Sequence, residues 1–298
     1  MDRMEKKKLL DRFTALWEAE DPFQNNGLKR RADKWGFDAK QDAETARRLQ
    51  ERLVKRIASA RDFLTVHGAL ASTFHVLDVG AGPLHFTNDF ATTVCSVTGL
   101  DHSEFLLEAG LEESKRRGLT NVRTCCADFR TADIPLAEKG YDLVFSSITP
   151  AVGTVSALRK MNQLSRNFCF NSSFLETRNE VRDRIQETVF GTGLDPSMHG
   201  ERFYALWNML WLSGYKPVVG YYTERMTEPL RTDAAAAHRM AEEILLRPVT
   251  DVEVERTRVA LEELLAAGQT TNVKENTYGY ILWQQGNQIR HNPPSNFL

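Results

Sequence analysis

The sequence has no long hydrophobic run and only four cysteines, and these two features restrict the classes of protein to which it can belong. No stretch approaches the roughly 18 apolar residues that a membrane-spanning helix needs, and the opening MDRMEKKKLL is charged instead of apolar. We therefore expect a cytoplasmic protein with no signal peptide and no membrane partner. The cysteines show no C-x-x-C spacing, which predicts reduced core side chains and neither disulfides nor a metal site. They are Cys95, Cys125, Cys126 and Cys169.

A strong charge of one sign is missing as well. The chain carries 38 Lys and Arg residues against 40 Asp and Glu residues, which gives a formal net charge of -2. The basic clusters at residues 6–8 and 29–31 both have acidic neighbours. Because a nucleic acid backbone is usually bound by an uncompensated basic surface, we expect no nucleic-acid partner.

What the chain does contain is the pattern of a globular α/β protein. Its 298 residues are 42% hydrophobic and 26% charged, as is usual for soluble domains. Helical apolar spacing covers residues 4–19 and 40–66, and from residue 74 short β-branched runs alternate with helical stretches. The runs are FHVLDV, CSVTGL, NVRTCCA, YDLVFSS and RNFCFNSS. This alternation predicts βαβ units with a parallel sheet buried between helices.

The chain beyond residue 175 departs from that alternation. We predict helical structure over residues 178–213 and strands at KPVVGYYTERM and TYGYILWQQ. Two helices fall between these strands, the first capped by Thr232 or Asp233 and the second by Asp251. A short hairpin could have joined the strands, so residues from about 230 to 270 are a helical insertion.

The stretch VLDVGAGPLHFT at residues 76–87 predicts a strand, a glycine turn and a helix. Gly80 allows a tight turn, and Gly82 lets a ligand approach the backbone because it has no side chain. Pro83 suits the first turn of the helix, whose free N–H groups favour an anionic group. A dinucleotide site has a third glycine where this sequence has His85, so an NAD-dependent enzyme is a disfavoured alternative.

Polar residues follow the next strands at the same edge of the predicted sheet. Asp101 ends the second strand, 23 residues after Asp78, close to the offset of roughly 20 residues at which a carboxylate reaches ribose hydroxyls. Asp128 and Phe129 end the third strand, where they can contact a base. Read singly, Asp101 could equally be a helix cap and Asp128 a loop carboxylate.

Taken together, VLDVGAGPLHFT, TGLDHS, CCADF and YDLVFSSITPAV resemble the class I S-adenosylmethionine-dependent methyltransferases. The resemblance covers about residues 70–175. It implies a Rossmann-like, seven-stranded, mostly parallel sheet of order 3-2-1-4-5-7-6, with strand 7 antiparallel and helices on both faces. The sequence departs from the family pattern at Leu84, where many members have a third glycine.

The resemblance also implies S-adenosyl-L-methionine as cofactor and a role for each matching residue. Asp78, Gly80 and Gly82 would line the methionine end, Asp101 would bind the ribose, and His102 would lie beside the adenine. Asp128 would accept from the adenine amino group next to Phe129, and Ser146 would lie near the sulfonium. We add Trp35, since an aromatic face near a sulfonium is favourable by cation–π attraction.

We expect an arm or lid at residues 1–68 and a methyltransferase domain at residues 69–298 that carries the insertion. Tyr204 and Trp207, with Trp35, are expected to line the pocket of a small-molecule acceptor. A general base is needed only for a protonated acceptor, so no catalytic residue is assigned among the candidates His85, His199, Tyr204 and Glu275. A non-catalytic cofactor sensor or partner subunit is the main alternative, and a homodimer stays open.

Overall fold

The computed structural model describes residues 2–19, 43–131, 140–191, 200–245 and 247–286. Two compact units divide the chain. The first comprises residues 1–173, 201–222 and 279–298, and the second comprises residues 174–200 and 223–278. Each unit has a hydrophobic cluster of its own.

One seven-stranded sheet has the order β3-β2-β1-β4-β5-β7-β6. Its first strands are β1 (His75–Val79), β2 (Ser96–Asp101), β3 (Val122–Cys126), β4 (Tyr141–Ser147) and β5 (Ser165–Asn179). These strands pair in parallel, with Asp78 opposite Gly99 on β2 and Phe145 on β4. Their carboxyl ends therefore form one rim of the sheet. The fold class that the resemblance implied is confirmed.

The last strands are β6 (Val218–Pro229) and β7 (Thr271–Gln284), and β7 runs antiparallel to β5. The Gln285 N–H, just after β7, donates to the Asn167 carbonyl near the start of β5 (2.7 Å). β5 continues to Asn179, so the prediction of a helix from residue 178 was wrong at this point. Pairing with β7 overrides the polar local sequence, and the Phe174 ring packs on Tyr278 at 4.8 Å.

The helices are α1 (Arg3–Ala19), α2 (Ala43–Val66), α3 (His85–Phe90), α4 (Glu104–Arg116), α5 (Val155–Leu164), α6 (Glu180–Ile185), α7 (Gly200–Leu212), α8 (Ala234–Leu245) and α9 (Asp251–Ala266). On one face of the sheet, Phe145 and Phe170 stack at 4.8 Å, and Phe63 of α2 and Phe86 of α3 pack against them. On the other face, side chains of α1, α5 and α7 form the main hydrophobic cluster with Val144.

The second unit has a core built by α6, α8 and α9. Its buried members are Val181, Ile185, Ala237, Ile244, Ala260, Leu261 and Leu264. Asp233 caps α8 by accepting from the Ala236 N–H at 3.0 Å, which confirms one of the two predicted caps. The prediction for α9 was wrong by one residue, because Thr250 is the cap and forms a capping box with Glu253.

The cysteines only partly fit their predicted role as core side chains. Cys169 is buried, but Cys95 and Cys126 are exposed, since they lie at the start of β2 and at the rim end of β3. All four are free thiols. Within the described ranges, no group of side chains could hold a metal ion, and no helix combines the length and apolar character needed to cross a membrane.

Candidate functional site

The turn between β1 and α3 is the centre of the candidate site. The N–H groups of Gly80 and Ala81 both donate to the Leu100 carbonyl, at 2.8 and 2.9 Å, and so fasten the turn to β2. Gly80 has φ +72, and a Cβ there would lie 2.0 Å from Thr149 Oγ1. Gly82 has φ +51, and a Cβ there would meet no atom within 4 Å. Thr149 therefore fills the space beside Gly80, whereas the space beside Gly82 is open.

Leu84 occupies the place of the third glycine of the family pattern. Its backbone is left-handed, with φ 59, and its side chain is fully buried. The side chain fills space that exists because Gly99 on β2 and Gly110 on α4 lack a Cβ, which would lie 2.4 Å from Leu84 at either position. The chain therefore retains the left-handed turn without the glycine, and Gly99 and Gly110 are the sequence signals that accompany this change.

Asp78 is a buried carboxyl group beneath the turn. It is 2% exposed and accepts a hydrogen bond from Thr87 Oγ1 at 2.7 Å. Burial raises the pKa of Asp78 to about 7, with a further contribution from the charge of Asp101, although the Thr87 hydrogen bond acts in the opposite direction. A cation bound nearby would favour the ionised form of Asp78.

Asp101 lies at the carboxyl end of β2 and connects the turn to the next helix. Its Oδ2 accepts from the Gly82 N–H at 2.9 Å, and its Oδ1 accepts from the Ser103 N–H at 2.9 Å. The exposed His102 ring places Nδ1 3.3 Å from Oδ1. The structure thus brings Asp78, Gly82 and Asp101 together, as the site prediction requires.

The predicted cofactor residues at the ends of β3 and β4 lie in different environments. Asp128 is ion-paired with Arg130 at 2.7 Å, and the hydrogen bonds from Arg130 lower the pKa of this carboxyl group. Phe129 is buried in the main cluster, where Lys160 Nζ lies 5.1 Å from its ring centre. Ser146 is buried and donates to the Phe170 carbonyl at 3.1 Å. Their predicted contacts with adenine and sulfonium stay predictions.

Two rim residues after β4 were absent from the sequence-based site. Ile148 has φ 49, a left-handed conformation that is a genuine outlier for a β-branched residue. Thr149 is extended, as expected for a residue before proline, and its side chain is what a Cβ on Gly80 would meet. Because such strain concentrates at functional sites, the loop FSSITP belongs to the candidate site.

The predicted acceptor residues lie on α7, except for Trp35, which falls outside the described residues. Tyr204 is 57% exposed and packs edge-to-face against Phe13 of α1 at 5.5 Å. Trp207 stacks on Trp211 at 5.5 Å. At the end of α1, Glu18 accepts from the Val155 N–H at 3.0 Å. The C-terminal end of α1 is thereby held at the start of α5, just beyond β4.

Comparison with known proteins agrees with this arrangement. Residues 70–187 match a family model described as a methyltransferase domain. A 23S rRNA (uracil(1939)-C(5))-methyltransferase from Alkalilimnicola ehrlichii is 38% identical over 90 residues, which cover 28% of this chain and 20% of that protein. The chain thus spans about a fifth of the length of the curated relative that it matches.

Solved structures give similarities at 14% identity. A proposed methyltransferase from Bacillus halodurans C-125 aligns over 75% of this chain and 97% of its own, with a TM-score of 0.48. Magnesium protoporphyrin IX methyltransferase from Synechocystis PCC 6803, solved with bound S-adenosylhomocysteine, aligns over 87% and 97%, with a TM-score of 0.45. Residues 70–187 therefore match a methyltransferase domain, and the motifs and strand order are consistent with the class I S-adenosylmethionine-dependent methyltransferases.

Proposed function

We propose that the chain transfers the methyl group of S-adenosylmethionine to a small-molecule acceptor by in-line displacement. The observation that carries this proposal is the turn that is open at Gly82, with Asp78 beneath it and Asp101 bonded to its backbone. The bound cofactor would supply a methyl group already activated on a sulfonium. The chain's own task is then to hold the two reactants in line.

The residues of the site fit such a cofactor in charge and shape. A sulfonium and an ammonium are cationic, and Asp78 and Asp101 are two carboxyl groups close enough for the charge of one to raise the pKa of the other. A cation relieves that repulsion. Asp101 would accept from ribose hydroxyls through the lone pairs that Gly82 and Ser103 leave free. The open side of Gly82 would admit the ligand to the backbone.

An RNA acceptor is the competing substrate class, because the curated relative acts on 23S rRNA. We favour a small molecule since the chain has a net charge of -2 and its basic clusters have acidic neighbours. Binding to an RNA backbone usually depends on an uncompensated basic surface. The predicted roles of residues 1–68 and of the helical insertion in enclosing the acceptor stay predictions.

Methyl turnover tests the proposal directly. The purified chain is incubated with S-adenosylmethionine and a metabolite panel, with a ribosomal RNA arm in parallel, and release of S-adenosylhomocysteine is measured. We expect release with a small molecule and none above background with RNA. Cofactor binding without release in any arm supports the sensor alternative, and binding of NAD in place of S-adenosylmethionine contradicts the proposal.

A further inference from the structure

Three consecutive residues of β5 have buried polar atoms without a hydrogen-bond partner in the described part of the chain. They are Asn171 Oδ1, Ser172 Oγ and Ser173 Oγ. Asn171 and Ser172 are each only 3% exposed. Unpaired buried polar groups are rare in folded proteins because they lose their hydration without compensation. Three in succession therefore require partners that the described part of the chain does not supply, such as a bound ligand or ordered water.

The orientation of the Asn171 amide follows from its one hydrogen bond. Asn171 Nδ2 donates to Ser146 Oγ at 3.1 Å, and Ser146 Oγ donates to the Phe170 carbonyl at 3.1 Å. A serine hydroxyl has a single proton, which the Phe170 carbonyl uses, so Ser146 must accept from the amide nitrogen. Asn171 Oδ1 is consequently turned away from Ser146 as an acceptor that still requires a donor.

These groups lie at the rim that the candidate cofactor site also occupies. The register places Asn171 opposite Ser146 and Ser172 opposite Ser147, at the carboxyl ends of β5 and β4. The N–H of the left-handed Ile148 donates to the Ser172 carbonyl at 2.9 Å. Ile148 is followed by Thr149, which meets the glycine turn at Gly80. Only β4 therefore separates the strand with the unpaired groups from β1, whose turn would hold the cofactor.

The same face of the sheet offers a second pair of unpaired polar atoms. Side chains alternate along a strand, so Asn171 and Ser173 share a face with Cys169, which belongs to the main cluster together with Trp17 of α1. Trp17 is 1% exposed, and neither its Nε1 nor Thr14 Oγ1 has a partner within the described residues. Trp17 can only donate, Asn171 Oδ1 can only accept, and the hydroxyl groups can do either.

We propose that Asn171, Ser173 and Trp17 form an acceptor subsite for a largely apolar molecule with a hydroxyl or amine group. This proposal rests on the proposed function. The ligand's O–H or N–H donates to Asn171 Oδ1, and an oxygen of the ligand accepts from Trp17 Nε1. The unpaired atoms of Asn171, Ser173 and Trp17 are neutral and adjoin a hydrophobic cluster. The Arg202 guanidinium lies 4.2 Å from the ring centre of Trp17, so a negative charge on the ligand would be compensated at that end. Phenols and aromatic amines that carry a second oxygen as acceptor have this chemistry.

Binding of matched probes tests the subsite. Saturation-transfer NMR measures binding of 4-hydroxybenzamide and its methyl ether 4-methoxybenzamide, each with and without S-adenosylhomocysteine. We expect the hydroxyamide to bind at least tenfold more tightly than the methyl ether, which has no O–H to donate to Asn171 Oδ1. Asn171→Leu and Ser173→Ala should weaken binding of the hydroxyamide at least tenfold and change the S-adenosylhomocysteine affinity less than twofold. Ser213→Ala removes another buried, unpaired hydroxyl, after α7, and should change neither affinity.

Thermal unfolding separates a ligand site from a structural one. Ser146→Ala removes a paired hydroxyl and should lower Tm, whereas Ser173→Ala removes an unpaired atom and should leave Tm unchanged or higher. Asn171→Leu also loses the hydrogen bond to Ser146 and is therefore not used in this comparison. If Ser173→Ala loses as much Tm as Ser146→Ala, the group is structural and the inference fails. It also fails if the methyl ether binds as well as the hydroxyamide or if neither probe binds. If the chain does not bind S-adenosylhomocysteine but still binds the probe in a way that depends on Asn171, the proposed function is refuted and the subsite is not.

Discussion

Asp78→Asn should make the stability of the protein less sensitive to pH. Asp78 is 2% exposed, and burial raises its pKa from 3.8 to about 7. Between these two values the folded chain binds a proton that the unfolded chain has released, so the free energy of unfolding decreases as pH rises. Above about pH 7 the carboxylate is charged in both states, and the full destabilisation is present. Asparagine remains neutral and can still accept from Thr87.

The size of the effect follows from the linkage relation. One unit of pKa corresponds to about 1.4 kcal/mol, so from pH 5 to pH 7, where Asp78 is half ionised in the folded chain, the wild-type chain should lose about 2 kcal/mol through Asp78. Asp78→Asn removes this loss. The difference in unfolding free energy between variant and wild type should therefore grow by about 3 kcal/mol in favour of the variant from pH 5 to pH 8.

Urea denaturation at pH 5, 6, 7 and 8 measures this difference, and Asp142→Asn is the matched control on the neighbouring strand. Burial raises the pKa of Asp142, but hydrogen bonds from Arg166 and the His75 N–H outweigh burial and leave the pKa lowered. A lowered pKa contributes stability that is fully present above the unfolded value. Asp142→Asn should therefore destabilise by a constant amount from pH 5 to pH 8. A difference for Asp78→Asn that is flat, or that grows in favour of wild type, would refute the reasoning.

Three further predictions follow from the turn and the second unit. Gly82→Val should abolish cofactor binding measured by calorimetry and destabilise the fold by about 1–2 kcal/mol, since φ +51 disfavours a side chain; wild-type affinity would show that the turn does not face the cofactor. Gly99→Ala should destabilise the wild type because its Cβ meets Leu84 Cδ2 at 2.4 Å, but much less in a Leu84→Ala background, which lacks that atom; equal losses in both backgrounds would contradict this packing. A last variant replaces residues 232–268 by a short glycine turn and carries Val181→Ser and Ile185→Ser, which make polar the face of α6 that the deletion would expose. This variant should keep cofactor affinity within a few fold and lose turnover; retained turnover on the native acceptor would exclude the insertion from catalysis.

Local sequence patterns explain why much of the fold could be predicted from the sequence. Apolar runs ending at Gly80, Asp101 and Asp128 marked the strands and their common rim, and the strand order followed from the family resemblance. Thr250 was missed as a cap although TDVE has the spacing of a capping box. The extension of β5 could not be predicted, because pairing with β7 decides it rather than the local pattern.

The unpredicted parts of the site depend on partners that are distant in sequence. Leu84 is compatible with the turn only because Gly99 and Gly110 leave space for its side chain, and those glycines lie on other elements. The strain at Ile148 is visible only in backbone angles. Whether Asn171 Oδ1 has a partner depends on the hydrogen bonds of Ser146. None of these three features leaves a periodic signal in the sequence.

Calorimetric titration with S-adenosylmethionine tests the central claim most directly, namely that the rim of β1 and β2 binds this cofactor. We expect one site per chain, with affinity weakened by roughly 1–3 kcal/mol in Asp101→Ala, because a charge-assisted hydrogen bond is lost. Glu108→Ala, on the helix that follows Asp101, should leave the affinity unchanged. The absence of a binding heat with the wild-type chain, or an Asp101→Ala variant that binds as tightly as wild type, would contradict the account.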